Sequence, residues 1–217
     1  MADNYLDKKL EDYKARSAAA GASRKQTTTL GTLLVKNRSC RGYDSSFIVR
    51  DDQLRSIIEV NTKIPSARNA QVLRFRPVNS SEAAKVLPHI RLGGALPDLR
   101  LPLPGTEPNA FIIICTTTAP DKNVYTDLGI SAQSMLLRAV EMGLAGICIG
   151  AFDKECIKRE FSLEYEPLMI LAIGRSCEEI RLVDIDEGDD EGDDKKYYRK
   201  DGVHYVPKLR VDNLIIK

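Results

Sequence analysis

The chain has no tryptophan, five phenylalanines and only two histidines in 217 residues. His89 and His204 stand far apart, which excludes a histidine-rich metal site and leaves a Ser-His-Asp triad without support. Both read as ordinary structural or surface side chains. There is no GxSxG elbow and no HExxH, and both GxGxxG and the Walker loop are missing, so the two commonest phosphate cradles are absent. The five cysteines include no CxxC pair. An odd count without that spacing argues against a disulfide framework and against a cysteine zinc site. Cys115 and Cys148, inside apolar runs, read as buried structural thiols.

An excess of charge of one sign is also missing: 32 basic residues face 31 acidic ones. That balance supplies no electrostatic case for nucleic acid or an anionic membrane as partner. No apolar run approaches the ~20 residues that span a bilayer. The start, MADNYLDKKLEDYKAR, is charged and has no apolar core of a secretory signal, so a cytoplasmic chain is expected.

What is present is a mixture of helix and strand signals without regular βαβ alternation, which favours an α+β fold. Residues 3–17 carry Leu6, Leu10 and Tyr13 at amphipathic spacing, and 21–29 read as a connection. This divides the chain into an N-terminal helix and connection, 1–29, and a main domain, 30–217. Helices are expected over 30–36, after an N-cap at Asp51, and from a cap at Ser80 or Ser81 to Leu87. A long helix should run from Asp127 to Met142, closed by Gly143 and rich in small residues early on, which suits the core or a subunit interface. A short one should follow an Asp153 cap. Strands are expected over 74–79, 111–116, 144–149 and 168–173. A hairpin is expected at Asp201-Gly202, within 197–205. Residues 91–109 hold four prolines and three glycines and read as an irregular binding loop. Residues 184–196 read as a solvated acidic loop. The tail after 206 is basic, then apolar, and should dock on this chain or on a partner.

Three polar stretches stand outside the core pattern. In the first, Arg38 and Arg41 flank Ser39 just after a helix, and paired guanidinium forks with a hydroxyl can grip a phosphate. In the second, Pro65, Ser66, Asn69 and Gln71 lie on a loop, where amides can match a ligand edge that alternates donors and acceptors. In the third, Lys208 and Arg210 are an i, i+2 pair that an extended segment points to one side. Taken singly, each also fits an ordinary turn or a solvated charge cluster.

Together and in this order they resemble the nitroreductase-like family. Arg38, Ser39 and Arg41 match its R-S-x-R loop. Pro65, Ser66, Asn69 and Gln71 match P-S-x-x-N-x-Q. Asp127, Gly129 and Gln133 match D-x-G-x-x-x-Q; Ile149, Gly150 and Phe152 match I-G-x-F; Lys208 and Arg210 match K-x-R. The match spans the chain from about Leu30 to its end. It departs from the family at Asn37, where a basic residue is frequent, and at Val72-Leu73, where Pro-Trp is frequent.

The resemblance implies a three-layer α-β-α fold with a mixed central sheet and a homodimer whose C-terminal tails extend onto the partner subunit. It implies FMN, with Arg38, Ser39, Arg41, Lys208 and Arg210 holding phosphate and ribityl chain. Pro65, Ser66, Asn69 and Gln71 would reach the flavin from the other subunit, and the turn at Gly150 and Ala151 would lie along its ring. The implied reaction is ping-pong: NADH or NADPH reduces flavin N5, and a small acceptor such as a nitroaromatic or quinone takes the electrons. The cofactor carries that chemistry, so no side chain is nominated as catalytic acid or base and no metal is expected. The alternative is a protein that stores or senses flavin without turnover.

Overall fold

The computed structural model describes residues 28–92, 101–188 and 195–216. The helix expected over 3–17 lies outside them, as do parts of the 91–109 and 184–196 loops. The apolar run at 110–116 forms the middle of the sheet: β2 (Ala110–Thr116) is buried at all seven positions. It pairs antiparallel with β1 (Leu73–Val78) on one side and β4 (Glu166–Gly174) on the other. β3 (Ala145–Ile149) adds to the outer edge of β4, giving the order β1-β2-β4-β3. An uninterrupted apolar strand is what a sheet covered on both faces requires.

Two cores result, one on each face. Ile112 and Ile114 join Leu54, Leu128 and Met135 on one side, under α2 (Asp51–Glu59) and α3 (Lys122–Glu141). Phe111 and Ile113 join Tyr43, Val86 and Ile157 on the other, under the 40–43 segment and α4 (Lys154–Glu160). The expected three layers are thus assembled by the alternation of one strand. Gly146 lets α3 close on this sheet, because a Cβ there would sit 2.6 Å from both the Ala172 carbonyl oxygen and Leu136 Cδ2.

A second sheet, order β5-β7-β6, is made of β5 (Glu179–Ile185), β6 (Tyr198–Lys200) and β7 (Val203–Leu209). β6 and β7 form the expected hairpin, with Asp201 (φ 51°) and Gly202 (φ 79°) both left-handed at its two-residue turn. Parallel pairing enters at β5–β7 and at a single bridge from Ser39 to Gly146, so the β structure is mixed.

Four local expectations are corrected. α3 begins at Lys122, capped by Asp121, whose side chain accepts the Val124 N–H. Asp127 is therefore a buried mid-helix residue, 5% exposed. The cap of α2 is Arg50, and Asp51 sits in the first turn, where a carboxylate still favours the helix dipole. Residues 80–89 form turns and two short 3₁₀ segments in place of a helix. Asn79 Oδ1 captures the Ser81 N–H and hydroxyl at the start, and Pro88 cannot donate to a helical ladder at the end. Cys148 is exposed: on β3 it points opposite to the buried Ile147 and Ile149. Cys115 is buried as expected.

α1 (Leu30–Lys36) buries none of its residues, and Leu30, Leu34 and Val35 are exposed. Val211, Leu214, Ile215 and Ile216 in the tail are exposed as well.

Candidate active site

The segment after α1 is pinned to the sheet before it reaches its arginines. Ser39 bridges to Gly146 on the free edge of β3, and the Cys40 N–H donates to the Gly146 carbonyl (3.1 Å). Cys40 is buried, its thiol pushed up to about 12 by burial, so it is structural rather than nucleophilic. The Tyr43 hydroxyl closes the turn on the Cys40 carbonyl at 2.9 Å.

This frame holds Arg38 and Arg41. Arg38 donates to the Leu34 carbonyl (2.6 Å), and Arg41 to the Ser39 carbonyl (3.1 Å) while stacking over Tyr197 at 4.7 Å. In both guanidiniums Nε is buried and finds no hydrogen-bond partner among the described residues. Burial lowers the pKa of Arg38. A buried donor on a cation without an acceptor costs free energy, and two in one loop are suited to an anion as acceptor.

Beneath the loop lies a network that no local motif signals. Glu178, in the β4–β5 connection, accepts the Arg41 backbone N–H at 2.5 Å and pairs with Arg199 of β6. Its side chain is 7% exposed and that of Arg199 23%. Cys177 N–H donates to the Gly42 carbonyl (3.1 Å) and Asp44 N–H to the Arg175 carbonyl (2.9 Å), so two connections run side by side. His204 of β7 is 2% exposed, with Nδ1 unpartnered. Burial lowers its pKa, and the positive charges of Arg41 and Arg199 add to that.

The 65–71 loop is held separately. Asp127 Oδ1 accepts the Ala67 N–H at 2.8 Å, tying the loop to α3. Arg68, Asn69 and Gln71 have left-handed φ of 54°, 53° and 50°. Such a cluster of non-glycine residues stores strain, which is found at functional loops. Gln71 donates to Asn69 Oδ1 (3.1 Å), and its N–H reaches Ser66 Oγ (3.3 Å). Pro65 and Ser66 border a cleft of about 510 Å³, with Ile58, Ile64 and Phe75 as apolar wall and Asp127 within it.

α3 touches both loops, since Asn37 donates to Gln133 at 3.3 Å. Asp127 and Gln133 are about 9 Å apart along the helix and about 120° apart around it. The structure therefore anchors the two loops to different sides of one helix. Gly150 and Ala151 are exposed beyond β3, and a Cβ on Gly150 would meet nothing within 4 Å. Lys208 lies exposed on β7, while Arg210 is ion-paired with Asp186 at the surface. Among the described contacts neither side chain joins Arg38 or Arg41; β6 and β7 send Arg199 and His204 there instead.

These residues fit FMN. The unpartnered Arg38 and Arg41 donors suit its phosphate, the Asn69 and Gln71 amides suit its polar edge, and the open space over Gly150 admits a planar ring.

The fold so defined is that of a family. The model of the nitroreductase family matches residues 34–175. That is more than half of the chain, which belongs to the nitroreductase family. Among solved structures, the chain is similar to a nitroreductase family protein from Streptococcus pneumoniae TIGR4, at 16% identity and a TM-score of 0.58 over 70% of this chain and 93% of that one. It is similar to a protein described as a nitroreductase in complex with FMN from Exiguobacterium sibiricum 255-15, at 19% identity and 0.58 over 72% and 92%. A third is described as an NAD(P)H:FMN oxidoreductase from Staphylococcus epidermidis ATCC 12228, at 21% and 0.55 over 70% and 91%. No curated protein gives a significant match.

Proposed function

We propose that the chain is an FMN-dependent oxidoreductase that takes electrons from NADH or NADPH and passes them to a small acceptor such as a nitroaromatic or a quinone. The observation that carries this reading is the pair of buried, unpartnered guanidinium donors in the 38–41 loop. Family membership supports it. Arg38, Ser39 and Arg41 grip the phosphate end, and Glu178 and Tyr197 hold Arg41 in place from behind. Lys208 and Arg210 add long-range positive charge. Gly150 and Ala151 border the ring. Bound FMN would supply the redox chemistry between nicotinamide and acceptor, while these residues hold and orient it. No protein side chain is needed as nucleophile, and the pinned loops hold the reactants in register.

The working unit is a homodimer. In support, none of the residues of α1 is buried and the tail exposes four large apolar side chains, more than a lone surface comfortably leaves to water. Pro65, Ser66, Asn69 and Gln71 serve the partner's flavin, as their place on the far side of α3 suggests. The alternative, flavin storage or sensing without turnover, shares these contacts.

The test is the visible spectrum of the purified protein, before and after NADH or NADPH is added without oxygen. Bleaching of a two-band flavin spectrum, restored by a quinone or nitroaromatic, is expected. A flavin spectrum that stays unbleached identifies the storage or sensing protein. A colourless protein that takes up no added FMN overturns the reading. Sedimentation should show a dimer, and a monomer with tightly held flavin would refute the shared site.

A further inference from the structure

Behind the Gly150–Ala151 turn the chain folds back on itself. Arg91 N–H donates to the Ala151 carbonyl and Asp153 N–H to the His89 carbonyl, both at 2.9 Å, around a bridge between Ile90 and Phe152. This backbone pairing sets the His89 imidazole beside the first turn of α4. Asp153 caps that turn and Cys156 stands three residues on, on the same side. One ligand atom from each of His89, Asp153 and Cys156 lies within 4.8 Å of the others.

We propose that His89, Asp153 and Cys156 bind one borderline-soft divalent cation, with zinc the best match and water completing the tetrahedron. Imidazole nitrogen, thiolate sulfur and carboxylate oxygen are the three donor types that zinc takes, and two anionic ligands balance its charge. Tetrahedral zinc with bonds of about 2.0–2.3 Å needs these nitrogen, oxygen and sulfur donors roughly 3.3–3.5 Å apart, so up to about 1.5 Å of side-chain movement closes the site. The carboxylate is divided between two tasks: Oδ1 accepts the Cys156 N–H at 2.9 Å, which leaves Oδ2 for the metal. The Arg159 guanidinium donates to the Cys156 sulfur at 3.1 Å, which fixes where the sulfur stands. On binding, the thiol proton goes to bulk water and His89 coordinates as the neutral ring. Hard oxygen-seeking cations such as magnesium are disfavoured by sulfur. Once bound, the metal ties the 89–91 segment to the start of α4, which the backbone alone joins only through its hydrogen bonds. The site owes nothing to bound flavin, so it stands whether or not the proposed reaction is correct.

The test is to titrate Co²⁺ into the full chain, kept reduced, and to read the d–d bands on the red side of any flavin absorption. One equivalent should give tetrahedral bands that Zn²⁺ abolishes. Cys156→Ser and His89→Ala should give none, while Cys148→Ser and Cys177→Ser, at the two exposed cysteines, should leave them unchanged. Asp153→Asn keeps the helix cap and should weaken binding by at least the roughly tenfold that even an outer-shell change produces. Zn²⁺ should also raise the melting temperature of the parent and leave that of Cys156→Ser where it was. No bands in the parent, bands that survive Cys156→Ser, or bands lost in Cys177→Ser would overturn the site.

Discussion

The segments at 37–41 and 208–210 each carry two cations, yet they sit in opposite electrical settings. The first is stitched to β3, stacked on Tyr197 and backed by Glu178, and its arginines keep buried donors without partners. The second lies at the surface, where Arg210 already pairs with Asp186 and water competes for whatever remains. Equal charge thus does not mean equal grip. A desolvated guanidinium whose orientation is fixed before binding gives up little to meet an anion, whereas a solvated one must lose water and rotamer freedom first.

The sharpest way to break this contrast is to compare two double substitutions. Arg38→Ala with Arg41→Ala should weaken FMN binding on the order of 10³-fold, at about 1.5–3 kcal/mol for each charged hydrogen bond. Lys208→Ala with Arg210→Ala should cost about tenfold or less, as exposed charges do. Fluorescence titration of FMN would read both, and equal losses would abolish the distinction. Combining Arg41→Ala with Arg210→Ala should strip most FMN through the first substitution while leaving the fold intact.

Glu178→Ala tests whether the backing matters. It leaves the Arg199 guanidinium and the Arg41 N–H without their acceptor, and should lower stability by about 3 kcal/mol in urea unfolding. Glu178→Gln restores a neutral acceptor and should recover part of that loss. A smaller effect is expected at Asp127→Ala, about 1–2 kcal/mol, since it removes the hydrogen bond that ties Ala67 to α3. Its signature would be weaker flavin binding with little change in the 38–41 loop's resistance to proteolysis.

The smallest effect concerns pH. His204 is held neutral in the folded state, so below its ordinary value near 6.5 the unfolded chain binds the extra proton first. Stability therefore rises with pH through that region: the contribution is complete above about pH 6.5 and is lost as pH falls toward the lowered folded value. Unfolding midpoints of the parent should drop as pH falls below about 6.5, and His204→Phe should flatten that part of the curve. An unchanged slope would mean that another group titrates there.

The elements legible in the sequence are those with strong local reasons. β2 is readable from its run of successive apolar residues, the hairpin from Asp201-Gly202, and the end of α3 from Gly143. The start of α3 is misplaced by about one and a half turns. Asp127 has the residue type of a cap, but Asp121 lies upstream with the same chemistry. Asp127 instead serves Ala67, a contact between residues far apart in the chain, and such contacts leave no local mark.

Order of motifs along the chain determined which residue types the proposed site draws on: two arginines and a serine, an amide-bearing loop, a glycine turn. Those arise from short-range chemistry, and they sufficed to identify the family. Tertiary structure alone decided which of the charges are dehydrated, that Glu178, Arg199 and His204 stand behind Arg41, and that His89 meets Asp153 and Cys156. The physical reason is the same in each case. Burial and pairing are properties of segments brought together by the sheet, and the free energy of a charge depends more on its surroundings than on its neighbours in sequence.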